Sequence, residues 1–250
     1  MGDCQNGDLR VNFDRTLKLK FLGSQVTTDA GLLTYRELDG ALRLTATGAE
    51  SLQDSRLGQN KQHGLLPLLR QSIYSRLAGY EDVNDAERLC VDPTMRHVVG
   101  GKASQPEKQA ASTSEVGRFE TEMLSTKNNL TALMNLSGRW IDTVHERKPL
   151  KELILNLDRS VSETYGQQQG TAYNGYFECM CYHPLFLFNQ LGDLERVMLR
   201  RGNHASAKFW RRVLLPVIER YRHCDIPKFF RGDAAFADPV LYGELEEAGY

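Results

Sequence analysis

The sequence predicts an α/β protein in two parts, a mainly helical region over residues 1–148 and a mixed strand-and-helix region over 149–250. Three observations predict it. Before Pro149, apolar residues recur at helical spacing in several segments. After Pro149, short apolar runs alternate with polar turns, beginning with ELILNLD at Glu152–Asp158. An amphipathic segment, another apolar run and a further helical segment then follow, the order of a sheet layered with helices.

Element by element, LKLKFLGSQ at Leu17–Gln25 alternates like a short strand. Thr28-Asp29 resembles a helix start, and Leu32, Leu33, Tyr35, Leu38 and Leu42 then mark an apolar face. Leu65, Leu66, Leu69, Ile73 and Leu77 mark a second helix that stops at Gly79, apolar enough to be a core element. A polar-faced helix over Glu81–Cys90 stops before Pro93, and Gly100–Glu115 reads as a loop. Thr113 or Ser114 is positioned to cap TSEVGRFETEML. Leu130, Leu133, Met134, Leu136, Trp140, Ile141 and Val144 give Asn128–Arg147 one apolar face. In the second part, GYFECMCYHPLFLFN and RVMLRR are strand candidates around the turn-like QLGD. Ser206–Tyr221 reads as a helix, PKFFRGD as a strand, and DPVLYGELEEAG as a helix with Pro239 in its first turn.

Composition bounds the function classes. A hydrophobic content of 41% and a charged content of 25% over 250 residues suit a globular core. Net charge is −1, which gives no overall sign of a nucleic-acid partner. Locally, Glu195–Arg231 carries ten Lys/Arg against three acids, a basic segment suited to attract phosphate or to form a solvated helix face. No apolar run reaches membrane-spanning length, and MGDCQNGDLR lacks a signal-peptide core. Five cysteines, odd in number and scattered, fit reduced thiols in a cytoplasmic protein.

Candidate chemistry centres on two acids. Asp158 ends the run ELILNLD and Asp233 ends KFFRGD. Strand-end carboxylates brought together suit a pair of hard cations about 3.5–4 Å apart, as in two-metal phosphoryl transfer. Taken singly, each acid could simply cap a strand or open a turn. Tyr165–Gly170 forms a polar loop whose Gln167 and Gln168 can contact DNA, or which is a plain surface turn. Arg201 and Arg231 match phosphate geometry; Arg231 alternates onto the face of Asp233 and could instead pair with it. Cys179, Cys181 and His183 share a strand face, where core packing outweighs a zinc site for lack of a second Cys pair. In the helical part, Arg70, Arg76, Arg88 and Arg118 could face phosphates or simply lie on exposed helix faces.

The segments LDRSVSETYGQQQGTAYNGY, CYHPLFLFNQLGDLERVMLR, RGNHASA and FFRGDAAFADPVLYGELEEAGY resemble the bacterial insertion-sequence DDE transposases of family 1380. TTDAGLLTYRELD, YSRLAGYEDVNDAERLCVDPTMRHVVG and TSEVGRFETEML resemble the same proteins, so the likeness covers nearly the whole chain. The resemblance implies an incomplete ribonuclease-H-like catalytic domain over 149–250, preceded by a helical domain over 1–148 that binds transposon ends. It implies Asp158 and Asp233 as two of three catalytic, metal-binding acids, with two Mg²⁺ ions (alternatively Mn²⁺) as cofactors. Double-stranded DNA, as terminal inverted repeats and target, is the implied partner, with a homodimer compatible and no membrane. Gln167, Gln168, Arg201, His204 and Arg231 become the expected DNA contacts. The family's third acid, a Glu far downstream, has no counterpart here; Glu244, Glu246 and Glu247 come too early. The chain is therefore expected to be a truncated transposase. A catalytically inactive DNA-binding fragment and a two-metal nuclease without strand transfer are the alternatives.

Overall fold

The computed structural model describes residues 9–10, 18–19, 27–57, 61–101, 105 and 107–250. Most of the strand expected at Leu17–Gln25, and part of the loop expected at Gly100–Glu115, lie outside these residues. The chain forms two compact units, residues 1–38 with 56–122 and residues 39–55 with 123–250.

In chain order the described elements begin with the two-residue strands β1 (Leu9–Arg10) and β2 (Lys18–Leu19), paired antiparallel. Helices α1 (Leu32–Leu42), α2 (Leu44–Ser51), α3 (Leu65–Leu77), α4 (Ala86–Leu89), α5 (Pro93–Val98), α6 (Thr113–Arg118) and α7 (Lys127–Arg147) follow. Strands β3 (Leu153–Arg159), β4 (Ser162–Glu163), β5 (Ala172–Asn174), β6 (Cys179–Tyr182), β7 (Leu185–Phe188) and β8 (Leu194–Met198) come next. Helix α8 (Trp210–Arg220), strand β9 (Lys228–Gly232) and helix α9 (Pro239–Glu247) complete them.

The first unit is built around α3. Leu68, Leu69 and Tyr74 of that helix are buried, and Tyr74 shares a core with Leu32, Leu89, Met95, Val98, Val99 and Ala110. The buried Gln71 amide closes this core on the chain beyond it, donating to and accepting from the backbone of Ala111, both at 2.7 Å. Asp92 caps α5 through the N–H of Met95 at 2.8 Å, with Pro93 in the first turn where its missing N–H costs nothing. The α6 cap differs from expectation. Ser112, not Thr113 or Ser114, is the N-cap residue, and a π-helical turn, Phe119–Leu124, continues α6. Of the arginines that could face phosphates or lie on exposed helix faces, Arg70 is buried, while Arg76 and Arg88 are exposed; Arg76 grips Glu120 through both terminal nitrogens at 2.7 and 2.8 Å, and Arg88 stacks on Tyr80. Burial works against the Glu120 charge, yet the hydrogen bonds from Arg76 and Ser72 outweigh it and hold the carboxyl below its usual range. Along α1 the apolar pattern does not predict burial: Leu32 is buried, while Leu33, Tyr35 and Leu38 stand about half exposed.

The second unit is a four-stranded sheet in the order β8-β7-β3-β9. Strands β3, β7 and β8 form an antiparallel meander, and β9 returns parallel to β3. Alternation along β3 turns Leu153, Leu155 and Leu157 into a dry core with Leu185 and Leu187 of β7, under Trp210, Val213, Leu214 and Val217 of α8 and Leu241 and Leu245 of α9. Truncating one of these, such as Leu155→Ala, costs about 2–5 kcal/mol in comparable cores. The run read as one strand from Gly175 to Asn189 is two strands in two sheets. β6 ends at Tyr182 and β7 begins at Leu185, because Pro184 cannot donate to a ladder. The loop Tyr165–Gly170 is flanked by β4 and β5, which pair with β6 in a small sheet ordered β4-β6-β5. Those strands are held by backbone pairing with little burial, so no apolar alternation marks them in the sequence.

Part of the basic segment Glu195–Arg231 is internal: Arg196 and Arg200 are buried and Arg220 is half-buried, while Arg201, Lys208, Arg211, Arg212, Arg222 and Arg231 are exposed. A bulge near the start of β8 accompanies the buried Glu195, whose carboxylate accepts from Arg220, Tyr221 and Asn189. Arg220 also reaches Asp142 of α7 at 3.1 Å. Arg196 is buried as well, and its Nε donates at 3.0 Å to the Arg212 carbonyl, the acceptor left unpaired because Pro216 lies four residues on in α8.

This internal ion network generates two predictions. Gly138 of α7 faces it, and a methyl group there would collide with the Arg220 guanidinium and press on the Glu195 carbonyl. Gly138→Ala should therefore lower the urea midpoint, although the same change in an open helix gains about 0.5–1 kcal/mol. Glu195→Gln should cost about 3 kcal/mol in urea unfolding, because it leaves the Arg220 charge short of its buried partner. A parent-like midpoint for both variants would remove the network from the account of stability.

Candidate active site

The ends of β3 and β9 meet at one edge of the sheet. Their parallel register pairs Leu153 with Lys228 and runs on to Leu157 with Gly232. The same offset of 75 carried one residue further sets Asp158 beside Asp233. Neighbouring strands lie about 4.8 Å apart, and residues in parallel register share a face. Leu157 points into the core, so Asp158 points the other way, with Ile154 and Asn156. Both acids are exposed. On the far side of β3, Phe186 of β7 stands opposite Asp158 and stacks on Phe188, giving the acids an aromatic neighbour.

Each carboxylate has one oxygen committed to nearby backbone. Asp158 Oδ1 accepts the N–H of Arg159 at 2.7 Å. Asp233 Oδ1 accepts the N–H of Ala235 at 2.9 Å and so starts the tight 3₁₀ turn Ala234–Phe236. Strand β9 can end this way because Gly232 lies close under Phe230 and Phe236, where a side chain would be tight. Asp233 Oδ2 lies 3.6 Å from Arg159 Nε, so the cation beside it comes from β3 and not from Arg231. Arg231 sits opposite Asn156, on the face of the two acids, exposed and with no ion pair among the described residues.

Carboxylates at the ends of two neighbouring parallel strands are hard oxygen donors of the kind that suits a divalent cation such as Mg²⁺, which keeps several waters of its own. No third acid joins them: among the described residues no group of three or more His, Cys, Asp or Glu is placed to hold a metal. Glu244 of α9 instead lies 3.7 Å from Arg211.

The other expected contacts spread over the small sheet and its neighbour loop. Gln167 and Gln168 are exposed in the turn between Gly166 and Gly170, both at positive φ where a side chain is disfavoured. Arg201 is exposed and its backbone bridges to Tyr182. His204 sets its ring edge-on to Phe209 at 5.2 Å, and its carbonyl accepts from His183 Nδ1 at 3.0 Å. Burial, then the charges of Lys208, Arg200 and Arg201, push the His204 pKa down. Cys181 is fully buried and Cys179 half-buried on β6. Arg159 and Arg200 are not among the site residues expected from the sequence, and His183 enters there only as part of a strand face with Cys179 and Cys181. Arg159 follows Asp158 directly, a signal available in the sequence; nothing in the sequence separates Arg200 from its basic neighbours.

No curated protein and no solved structure matches the chain. No helix among the described residues is long and apolar enough to cross a membrane. The family model for the transposase DDE domain, group 1, matches residues 9–250, and two acids in register at a sheet edge are in keeping with that match. The chain belongs to the transposase DDE domain group 1 family.

Proposed function

We propose that this chain is a transposase of the insertion-sequence type, acting on double-stranded DNA at terminal inverted repeats and then on target DNA in the cytoplasm. Catalysis belongs to residues 149–250, and DNA-end recognition to the helical region 1–148. The strand order supports a ribonuclease-H-like reading of the catalytic part, since three antiparallel strands are followed by a fourth parallel to the first. The observation that carries the proposal is the register of β3 and β9, which makes Asp158 and Asp233 neighbours across 75 residues of sequence.

Asp158 and Asp233 are the residues that would hold the divalent ions. When bound, such ions supply the activated oxygen nucleophile and the charge neutralisation that phosphoryl transfer requires. The chain's own residues supply the positioning. The backbone N–H groups of Arg159 and Ala235 each fix one oxygen of an acid and so restrict the rotation of its carboxylate. Arg159 steadies Asp233 from the side. Arg231 presents a guanidinium on the same face, where a bidentate grip on the DNA backbone orients the scissile phosphate. Gln167, Gln168, Arg201 and His204 extend this contact along the strand.

The paired acids generate a two-part prediction. Asp158→Asn and Asp233→Asn should each lower Mg²⁺-dependent nicking of a supercoiled plasmid carrying the terminal repeats by about a hundredfold or more, a loss typical of removing a group that acts in the transition state. Each variant should also weaken Mn²⁺ binding followed by electron paramagnetic resonance, while filter binding of the repeats stays near parent. Parent-level nicking and Mn²⁺ binding in both variants would exclude the acid pair. Cleavage without joining of ends to target DNA would identify a nuclease, and repeat binding without cleavage an inactive DNA-binding form. A third variant, Arg231→Gln, should weaken DNA binding and flatten its salt dependence, because one cation that neutralises a phosphate is lost.

A further inference from the structure

Beside Arg159 the second unit holds a cavity of about 690 Å³. One wall is the turn after β5, with Tyr176 and Phe177, and the other is the loop Gly202–Ser206. Asn174 ties the two together. Its amide donates to the Gly202 carbonyl at 2.6 Å, while its Oδ1 accepts the N–H groups of Tyr176 at 2.9 Å and Phe177 at 3.2 Å. Gly202 permits the close approach, because a Cβ there would run into the carbonyls of Ala172 and Cys181. The Asn174 side chain and the close approach at Gly202 therefore hold the two walls together.

Its polar lining is unusual in having no carboxylate. His183 is 2% exposed; its Nδ1 donates to the His204 carbonyl, and its Nε2 is buried with no partner among the described residues. Arg159 Nε likewise makes no hydrogen bond, its nearest anion being Asp233 at 3.6 Å. Behind them Arg200 spends its donors on the carbonyls of His183, Ser206 and Lys208 and leaves Nη2 unused. With Nδ1 donating and burial pushing the His183 pKa down, Nε2 is left as an acceptor that calls for a ligand N–H or O–H, while the unused Arg159 Nε–H calls for an anion. At the mouth, Tyr176 is 84% exposed and Tyr173 58%, large rings offered to solvent. An anion together with a stacking plane is the chemistry of a nucleotide.

We propose that this cavity receives one unpaired nucleotide of the DNA strand that passes the acid pair, with its phosphate on Arg159 and its base stacked on Tyr176. The nature of the ligand rests on the function proposed above, whereas the cavity and its lining do not. Arg159 touches both places, bordering Asp233 and lining the cavity, so a nucleotide bound here would hold the adjoining backbone at the sheet edge.

The test uses the full chain in metal-free buffer, with a fluorescein-labelled single-stranded oligothymidylate and a duplex of equal length, read by anisotropy. Tyr176→Ala should weaken single-strand binding about tenfold, Tyr176→Phe should restore it, and duplex binding should change by less than about twofold. Arg159→Gln should also weaken single-strand binding. The exposure of Tyr176 makes its variants safe for folding, which circular dichroism melting checks. Equal weakening of both DNA forms by Tyr176→Ala, or no weakening at all, overturns the proposal. Asp158→Asn tests the other reading separately: Mn²⁺ binding and plasmid nicking at parent level in that variant would count against the acid pair and leave this site standing.

Discussion

One constraint organises the second unit: the parallel pairing of β3 with β9. Parallel strands cannot be joined by a tight turn, so the chain between them must leave the sheet and return. That excursion builds the meander of β7 and β8, the small sheet and the crossover helix α8. Burial fixes the register. Leu153, Leu155 and Leu157 face the core at 0–2% exposure, and a slip by one residue would turn all three outward. The same forces that keep leucines dry therefore determine which acid stands beside which. The site inherits its geometry from the core.

The surroundings of the acids are arranged by local chemistry. Asp233 serves as both strand end and helical cap, so its backbone cannot drift without losing the turn that follows. Arg159, one residue beyond Asp158, crosses to Asp233 and joins the two strand ends through charge as well as through the ladder. Away from the site, Glu195, Arg220 and Asp142 tie β8, α8 and α7 together. Arg196, Arg200 and Arg220 of the basic segment are engaged inside the fold, while Arg201, Lys208, Arg211, Arg212, Arg222 and Arg231 stay exposed.

How much of this was legible depends on the range of the interaction. The apolar alternation of β3, its acidic end and the Pro-started α9 follow from neighbours in sequence, and the residues carry them plainly. Helix α7 and helix α8 were equally readable from their apolar faces. The small sheet was not, because β4 and β5 are short, little buried and held by backbone pairing, and backbone hydrogen bonds leave no trace in residue type. Pro184 was visible as a breaker within GYFECMCYHPLFLFN, yet only the fold shows that it separates two sheets. Asp158 and Asp233 could be named from the sequence, but their register depends on the full path of the chain between them. The cavity bounded by Tyr176 and Gly202 depends on contacts of the same kind. That the ring of His183 is buried with one nitrogen unmatched shows only in the fold.

The most direct measurement of the central claim is iron-mediated backbone cleavage of the full chain. Fe²⁺ substitutes for a bound divalent ion and, with ascorbate and peroxide, generates radicals that cut the polypeptide only where it touches the metal. Two cuts of similar yield, one next to Asp158 and one next to Asp233, both suppressed by excess Mg²⁺, are the predicted result. Cuts confined to one of the two strand ends, or a pattern indifferent to Mg²⁺, would contradict a cation shared between them.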